Sequence, residues 1–115
     1  MGYEDNIAHQ LRMLNTKWEA FKENGVNEDT ELVLEFVYLA PNKESANSLN
    51  TALENYDSST RSKGLLKKKW FVDGKSHPTT VSKETLAQWL DFMVTLGWEH
   101  SCEFDGFESS LPGNR

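Results

Sequence analysis

His100 and Cys102 stand two apart, with Asp105 close behind. On an extended strand that spacing puts both side chains on one face. Histidine, thiolate and carboxylate are the groups that hold zinc or activate a nucleophile. A tetrahedral zinc site normally needs three or four protein ligands, so His77 would have to be recruited from a loop. A cysteine–histidine nucleophile needs a base and an orienting third group, which one strand face rarely arranges. The expectation is a core cysteine beside a surface histidine, with no metal and no cofactor. The sequence contains no G-x-S-x-G, no phosphate-cradling glycine loop and no H-E-x-x-H. No catalytic residue is assigned, and the chain is expected not to be an enzyme.

Three other groups could make contacts instead of bonds. Glu103 and Asp105 can share a strand face, and Glu35 can lie across a sheet from one of them. Without an apolar pocket to raise a pKa, such carboxylates form an acidic surface. In Asp105-Gly106-Phe107 the glycine suggests a turn that aims the aromatic ring outward or back over the sheet. Aromatics beside acidic residues make good protein-contact anchors. Glu35, Glu103, Asp105 and Phe107 are therefore the expected partner-binding set. The third group is Lys67-Lys68-Lys69-Trp70-Phe71-Val72. RNA-recognition motifs stack bases on aromatics of two central strands, so Lys67, Lys69 and Trp70 define an alternative single-stranded RNA site. Against it, the triplet lacks the glycine–aromatic spacing of that motif. Alternation also sends Phe36 and Tyr38 the same way as Leu32 and Leu34, toward the helices.

Positioning these residues takes elements that the periodicity supplies. Ile7, Leu11, Leu14, Trp18 and Phe21 trace one apolar stripe on a helix over residues 5–23, with Asn6, His9, Arg12, Lys17 and Glu19 largely on its other faces. Asn24-Gly25 supplies the stop. From Glu31 to Leu39 the period becomes two, and both faces are largely apolar apart from Glu35, which predicts a central strand. Pro41 ends it, Asn42 caps a helix, and Ala46, Leu49, Leu53 and Tyr56 keep helical spacing. Thr60–Lys69 and Trp70–Val72 predict a hairpin turning somewhere between Lys63 and Lys68, where Gly64 suits a turn. A loop follows around Asp73-Gly74 and His77-Pro78. Ser82 then caps a helix carrying Leu86, Trp89, Leu90, Met93 and Leu96, and Gly97 ends it. Trp98–Phe104 is the last predicted strand. Trp18, Trp89 and Trp98 are expected in the core.

The order is a helix followed by β-α-β-β-α-β. Right-handed crossovers then place both later helices on one face of a four-stranded sheet, with its first and third strands central. The expected fold is an α+β, ferredoxin-like sandwich forming a single domain over residues 1–115. The added helix packs alongside the pair or covers the sheet's other face. At 115 residues the chain is the length of one domain, at roughly 100–200 residues each. Its net charge of −6 opposes generic binding to nucleic-acid phosphates. That charge is uneven. Residues 1–40 hold eight acids and three bases, 41–80 four acids and seven bases, and 81–115 six acids and two bases. The longest apolar run, Phe36–Ala40, is too short to span a bilayer. Glu4 and Asp5 stand where a signal peptide needs basic residues. With one cysteine, Cys102, the expectation is a cytoplasmic protein with a protein partner and no membrane.

In order and spacing the chain resembles the RraB family, regulators of ribonuclease E activity. The similarity runs over about residues 5–108. It is carried by Glu23-Asn24-Gly25-Val26-Asn27-Glu28-Asp29 after the first helix, then Leu34-Glu35-Phe36-Val37-Tyr38, a helix with Ala46 and Leu49, and a strand bearing Trp70. A second helix and the ending Glu103-Phe104-Asp105-Gly106-Phe107 complete it. Two features depart from the pattern: Leu111-Pro112-Gly113-Asn114-Arg115 stand where regulatory members often carry a long acidic tail, and Glu108 where a glycine commonly follows the aromatic. The resemblance implies a bacterial, non-enzymatic regulator that inhibits ribonuclease E, or an associated RNA-decay protein, by occupying a basic docking surface. A small acidic inhibitor of immunity type, with another partner, would suit the same charge.

Overall fold

The computed structural model describes residues 2–110. It is an α+β structure in which β1 (Glu31–Ala40) and β3 (Lys69–Lys75) form the centre of an antiparallel sheet. Strands β2 (Asp57–Lys63) and β5 (Glu103–Ser110) flank them, giving the order β2-β3-β1-β5. Along β1 the burial alternates: Leu32, Leu34, Phe36 and Tyr38 are buried, whereas Glu35 is exposed and Leu39 is 38% exposed. The buried set meets α2 (Lys43–Ala52) and α3 (Lys83–Glu99) through Ala46, Leu49, Leu86, Leu90 and Met93. At the centre Phe36 makes edge-to-face contacts with Tyr38, Tyr56 and Trp89 at 5.8, 5.3 and 6.3 Å. Such ring geometry adds to simple area burial.

The helix starts follow their capping chemistry. The Asn42 side chain accepts from Ser45 N–H, and Ser82 with Thr85 forms a reciprocal capping box. Several boundaries differ from the sequence expectation. Helix α3 does not end at Gly97 but runs through Trp98 to Glu99. Gly97 is there for space: a Cβ would lie 2.6 Å from Tyr38 Cε2 and 2.9 Å from the Cys102 carbonyl. Asp73-Gly74 is no loop but the middle of β3, where Gly74 makes room for the Phe36 ring, 2.5 Å from a built Cβ. Helix α2 stops at Ala52, so Tyr56 reaches the core from the following turn. A two-residue strand, β4 (Thr79–Thr80), pairs with Glu31 and Leu32; Ser76 leads to it by donating its N–H to Leu34 O at 2.8 Å.

Strand β5 begins at Glu103 rather than Trp98 and continues through Asp105-Gly106. Its register against β1 shifts between Val37 and Tyr38, which pair with Gly106 and Phe104; Asp105 is the extra residue of a bulge. Helix α1 (Tyr3–Glu23) lies beside α3 and along the outer edge of β5. Its side chains do what a further strand would do. Asn6 Nδ2 donates to Phe104 O at 2.9 Å, and Asn6 Oδ1 accepts from Phe104 N–H at 3.3 Å and from Trp98 Nε1 at 3.0 Å. Gln10 Nε2 donates to Phe104 O and Asp105 O. An edge strand's unpaired backbone groups invite a foreign strand; two buried amides on α1 occupy those of Phe104 and the Asp105 carbonyl.

Candidate functional site

The face of the sheet away from α2 and α3 carries the alternate residues of each strand. By register these are Glu35, Val37 and Leu39 on β1, Lys69, Phe71, Asp73 and Lys75 on β3, and Asp57, Ser59, Arg61 and Lys63 on β2. From β5 come Glu103, Gly106 and Glu108. Helix α1 rises beside this face because its amides hold it to β5. One turn apart, His9, Met13 and Lys17 form the wall of a groove of about 510 Å³. The floor and far side are Glu35, Val37, Arg61, Asp73, Asp105, Gly106 and Glu108.

Four carboxylates thus meet two cations, Lys17 and Arg61. Lys17 bridges to Glu108 at 3.2 Å. Arg61 pairs with Asp73 Oδ2 and stacks over the Phe71 ring, 4.2 Å from its centroid. Asp73 Oδ1 is buried and, among the described residues, has no hydrogen-bond partner. A buried acceptor left in that state costs about 1–3 kcal/mol, so a donor entering the groove would be stabilised there. The cleft suits a cationic or donor-rich side chain.

Of the expected contact residues, Glu35 and Asp105 are exposed and line this groove together. Glu103 belongs to a neighbouring cleft of about 410 Å³ between α1 and β5, which Asp105 also lines. Along β1 the pairing partners of Glu103 and Glu108 are Leu39 and Glu35, four residues apart. That spacing amounts to roughly 13 Å at about 3.3 Å per residue. Phe107 borders the same groove but contributes almost no exposed surface to it. It pairs with Phe36 on the helix side of the sheet, is 3% exposed and packs against Trp89 at 5.4 Å, with Lys17 Nζ over its ring at 5.2 Å. The bulge explains the difference: the chain stays in β5 through Asp105-Gly106, and resumed alternation turns Phe107 inward.

The alternative set is also divided. Lys67 and Lys69 are exposed at the β2–β3 hairpin, whereas Trp70 is half-buried on the helix side and packs against the core. Phe36 and Tyr38 are buried beneath α2 and α3, and Phe71 is covered by Arg61. These rings do not form a base-stacking platform on the open face.

His100 and Cys102 do not share a strand face, because both precede β5. His100 caps α3, and Ser101 takes φ 63° in the connecting turn. His100 Nδ1 lies 2.6 Å from Ser48 Oγ. Cys102 is buried, and burial pushes its thiol up to about 11. At neutral pH it is a protonated thiol and a poor nucleophile. Burial, then the neighbouring Tyr56 and Cys102, raise the Tyr38 phenol well above its ordinary range, and its hydroxyl donates to Met93 O at 2.7 Å. Among the described residues no three His, Cys, Asp or Glu side chains converge as metal ligands. No helix among them is long and apolar enough to cross a membrane.

Neither a family model nor a curated protein sequence matches this chain.

The residues that sequence reasoning missed are on α1. Periodicity assigned Asn6 to the solvent side, yet it is buried, as is Gln10, while Leu11 on the apolar stripe is 39% exposed. The i, i+4 spacing of two amides was the available signal, but it acquires meaning only once β5 is known to lie beside them.

Proposed function

We infer that this chain is a non-enzymatic regulatory protein whose βαββαβ core is ferredoxin-like, resembling RraB, and whose open sheet face receives a basic segment of a partner protein. The strand order β2-β3-β1-β5, antiparallel throughout with two helices on one side, supports that fold. The observation that carries the function is the groove between α1 and the sheet, where Glu35, Asp73, Asp105 and Glu108 outnumber Lys17 and Arg61. Glu103 extends the acidic character into the adjoining cleft. Sequence resemblance makes ribonuclease E, or a protein bound to it, the first partner to test. Inhibition would be stoichiometric, by covering a basic docking surface that RNA or an accessory protein also uses.

The test is a titration of purified ribonuclease E with this chain, following RNA cleavage and, by calorimetry, binding. Inhibition saturating near equimolar protein is the expected result. Charge reversal at Glu35→Lys with Asp105→Lys should weaken binding at least tenfold, since like charges facing each other across an interface cost several kcal/mol. Circular dichroism establishes that the variant is folded. A folded double variant with unchanged affinity removes the groove from the interface, and no binding by the parent protein removes ribonuclease E as the partner.

A further inference from the structure

The β2–β3 hairpin projects two leucines that no other part of the fold covers: Leu65 is 97% exposed and Leu66 is 99% exposed. They are held out by a constrained turn. Lys63 and Lys69 form the last cross-strand pair, and Gly64 follows with φ 110° and a built Cβ only 2.7 Å from the Lys67 carbonyl. The tip is therefore Gly64-Leu65-Leu66-Lys67-Lys68. Between Ser58 and Val72 the chain has five bases, Arg61, Lys63, Lys67, Lys68 and Lys69, and no acid. Lys63 directly opposite Lys69 is an unfavourable like-charge pair, which an anion at the hairpin mouth would relieve.

We propose that this hairpin docks on an anionic lipid bilayer, with Leu65 and Leu66 entering the headgroup–acyl boundary and the surrounding lysines resting on lipid phosphates. The arrangement matches the two contributions to peripheral membrane binding: buried aliphatic area, and attraction of basic residues to an anionic surface. RNA offers the same phosphate charge, but single-stranded RNA is gripped by stacking on aromatic rings. The tip presents aliphatic side chains, and the adjacent Trp70 is turned toward the core. Leucines raised on a turn fit a yielding lipid surface. The short apolar runs that exclude a membrane span do not bear on this contact, which needs only two side chains.

Co-sedimentation of the full chain with phosphatidylglycerol–phosphatidylcholine vesicles tests the assignment. Binding should be strong at low salt, fall as salt rises, and be lost on pure phosphatidylcholine. Leu65→Ser with Leu66→Ser should lower partition at least about tenfold, and Lys67→Ala or Lys68→Ala about fivefold each. All four positions are exposed in the turn, and circular dichroism verifies the fold of each variant. Failure to sediment with anionic vesicles at low salt overturns the proposal, as does equal partition after the leucine changes. Binding of oligouridylate that depends on Lys67 and Lys68, without vesicle binding, would make RNA the occupant and overturn it equally.

Discussion

The buried amides of α1 attach it to β5 beside the candidate groove, and Asn6→Ala tests that attachment directly. Asn6 is 4% exposed and serves three backbone or indole groups. Removing its amide leaves Phe104 N–H and Trp98 Nε1–H without their partner, while Phe104 O keeps Gln10 Nε2 at 3.3 Å. Each buried donor left unpaired costs about 1–3 kcal/mol. Trp98 is only half-buried, so water recovers part of its share. Alanine returns up to about 0.7 kcal/mol of helix propensity. The balance is a loss of about 2–3 kcal/mol. At roughly 4 °C per kcal/mol for a domain of this size, Tm should fall by roughly 10 °C. Thermal and urea denaturation followed by circular dichroism measure the loss, and hydrogen exchange locates it through faster exchange at the Phe104 amide. Gln10→Ala should cost about 1 kcal/mol, because its two bonds are longer and Phe104 O keeps Asn6 Nδ2. A stability for Asn6→Ala within about 0.5 kcal/mol of the parent, the range of ordinary surface changes, would refute the edge-sealing role.

Gly97→Ala should destabilise by about 1–3 kcal/mol through overpacking against Tyr38 and the Cys102 carbonyl, outweighing the roughly 1 kcal/mol that alanine gains in a helix; urea midpoints decide the sign. Gly64→Ala should weaken the hairpin by more than about 1 kcal/mol, since φ 110° and the nearby Lys67 carbonyl both resist a Cβ. Loss of the Lys63–Lys69 cross-strand contact in NMR spectra would report it. Alkaline pH should also destabilise the fold. The folded state holds the Cys102 proton up to about 11 and the Tyr38 proton above its ordinary range, whereas the unfolded thiol releases its own near 9.0. That stability is complete below the unfolded pKa and lost as pH rises toward the folded one. The urea midpoint should therefore fall above pH 9.0, with Cys102→Ala removing part of the slope; a midpoint level through pH ~10.5 would contradict the buried, protonated thiol.

Much of the architecture is legible in local pattern because the relevant forces are local. The period of two in β1, the Asn42 and Ser82 caps and the glycine after α1 each act within a few residues. The C-terminal third is less legible for the opposite reason. Gly97 resembles a helix stop until the Tyr38 ring, far away in sequence, is placed against it. Asp73-Gly74 and Asp105-Gly106 both have the composition of turns, yet both lie inside strands. In β3 the glycine admits Phe36, and in β5 the same dipeptide forms a bulge against β1. That bulge decided the fate of the proposed contacts. It left Asp105 at the groove, put Glu103 in the adjoining cleft and turned Phe107 into the core.

The uneven charge of the sequence takes on a spatial meaning once the strands are ordered. Strands β1, β3 and β5 bring Glu35, Asp73, Asp105 and Glu108 to one groove, while edge strand β2 and its hairpin carry Arg61, Lys63, Lys67 and Lys68. The two edges are also treated differently. The start of the β5 edge, at Phe104 and Asp105, is occupied by the Asn6 and Gln10 amides. There an added strand would find Phe104 N–H, Phe104 O and Asp105 O already taken, which favours a side-chain ligand at that end of β5. The basic hairpin stands clear of the core with its leucines exposed. The net charge of −6 thus averages over a carboxylate-rich groove and a basic hairpin, and understates both.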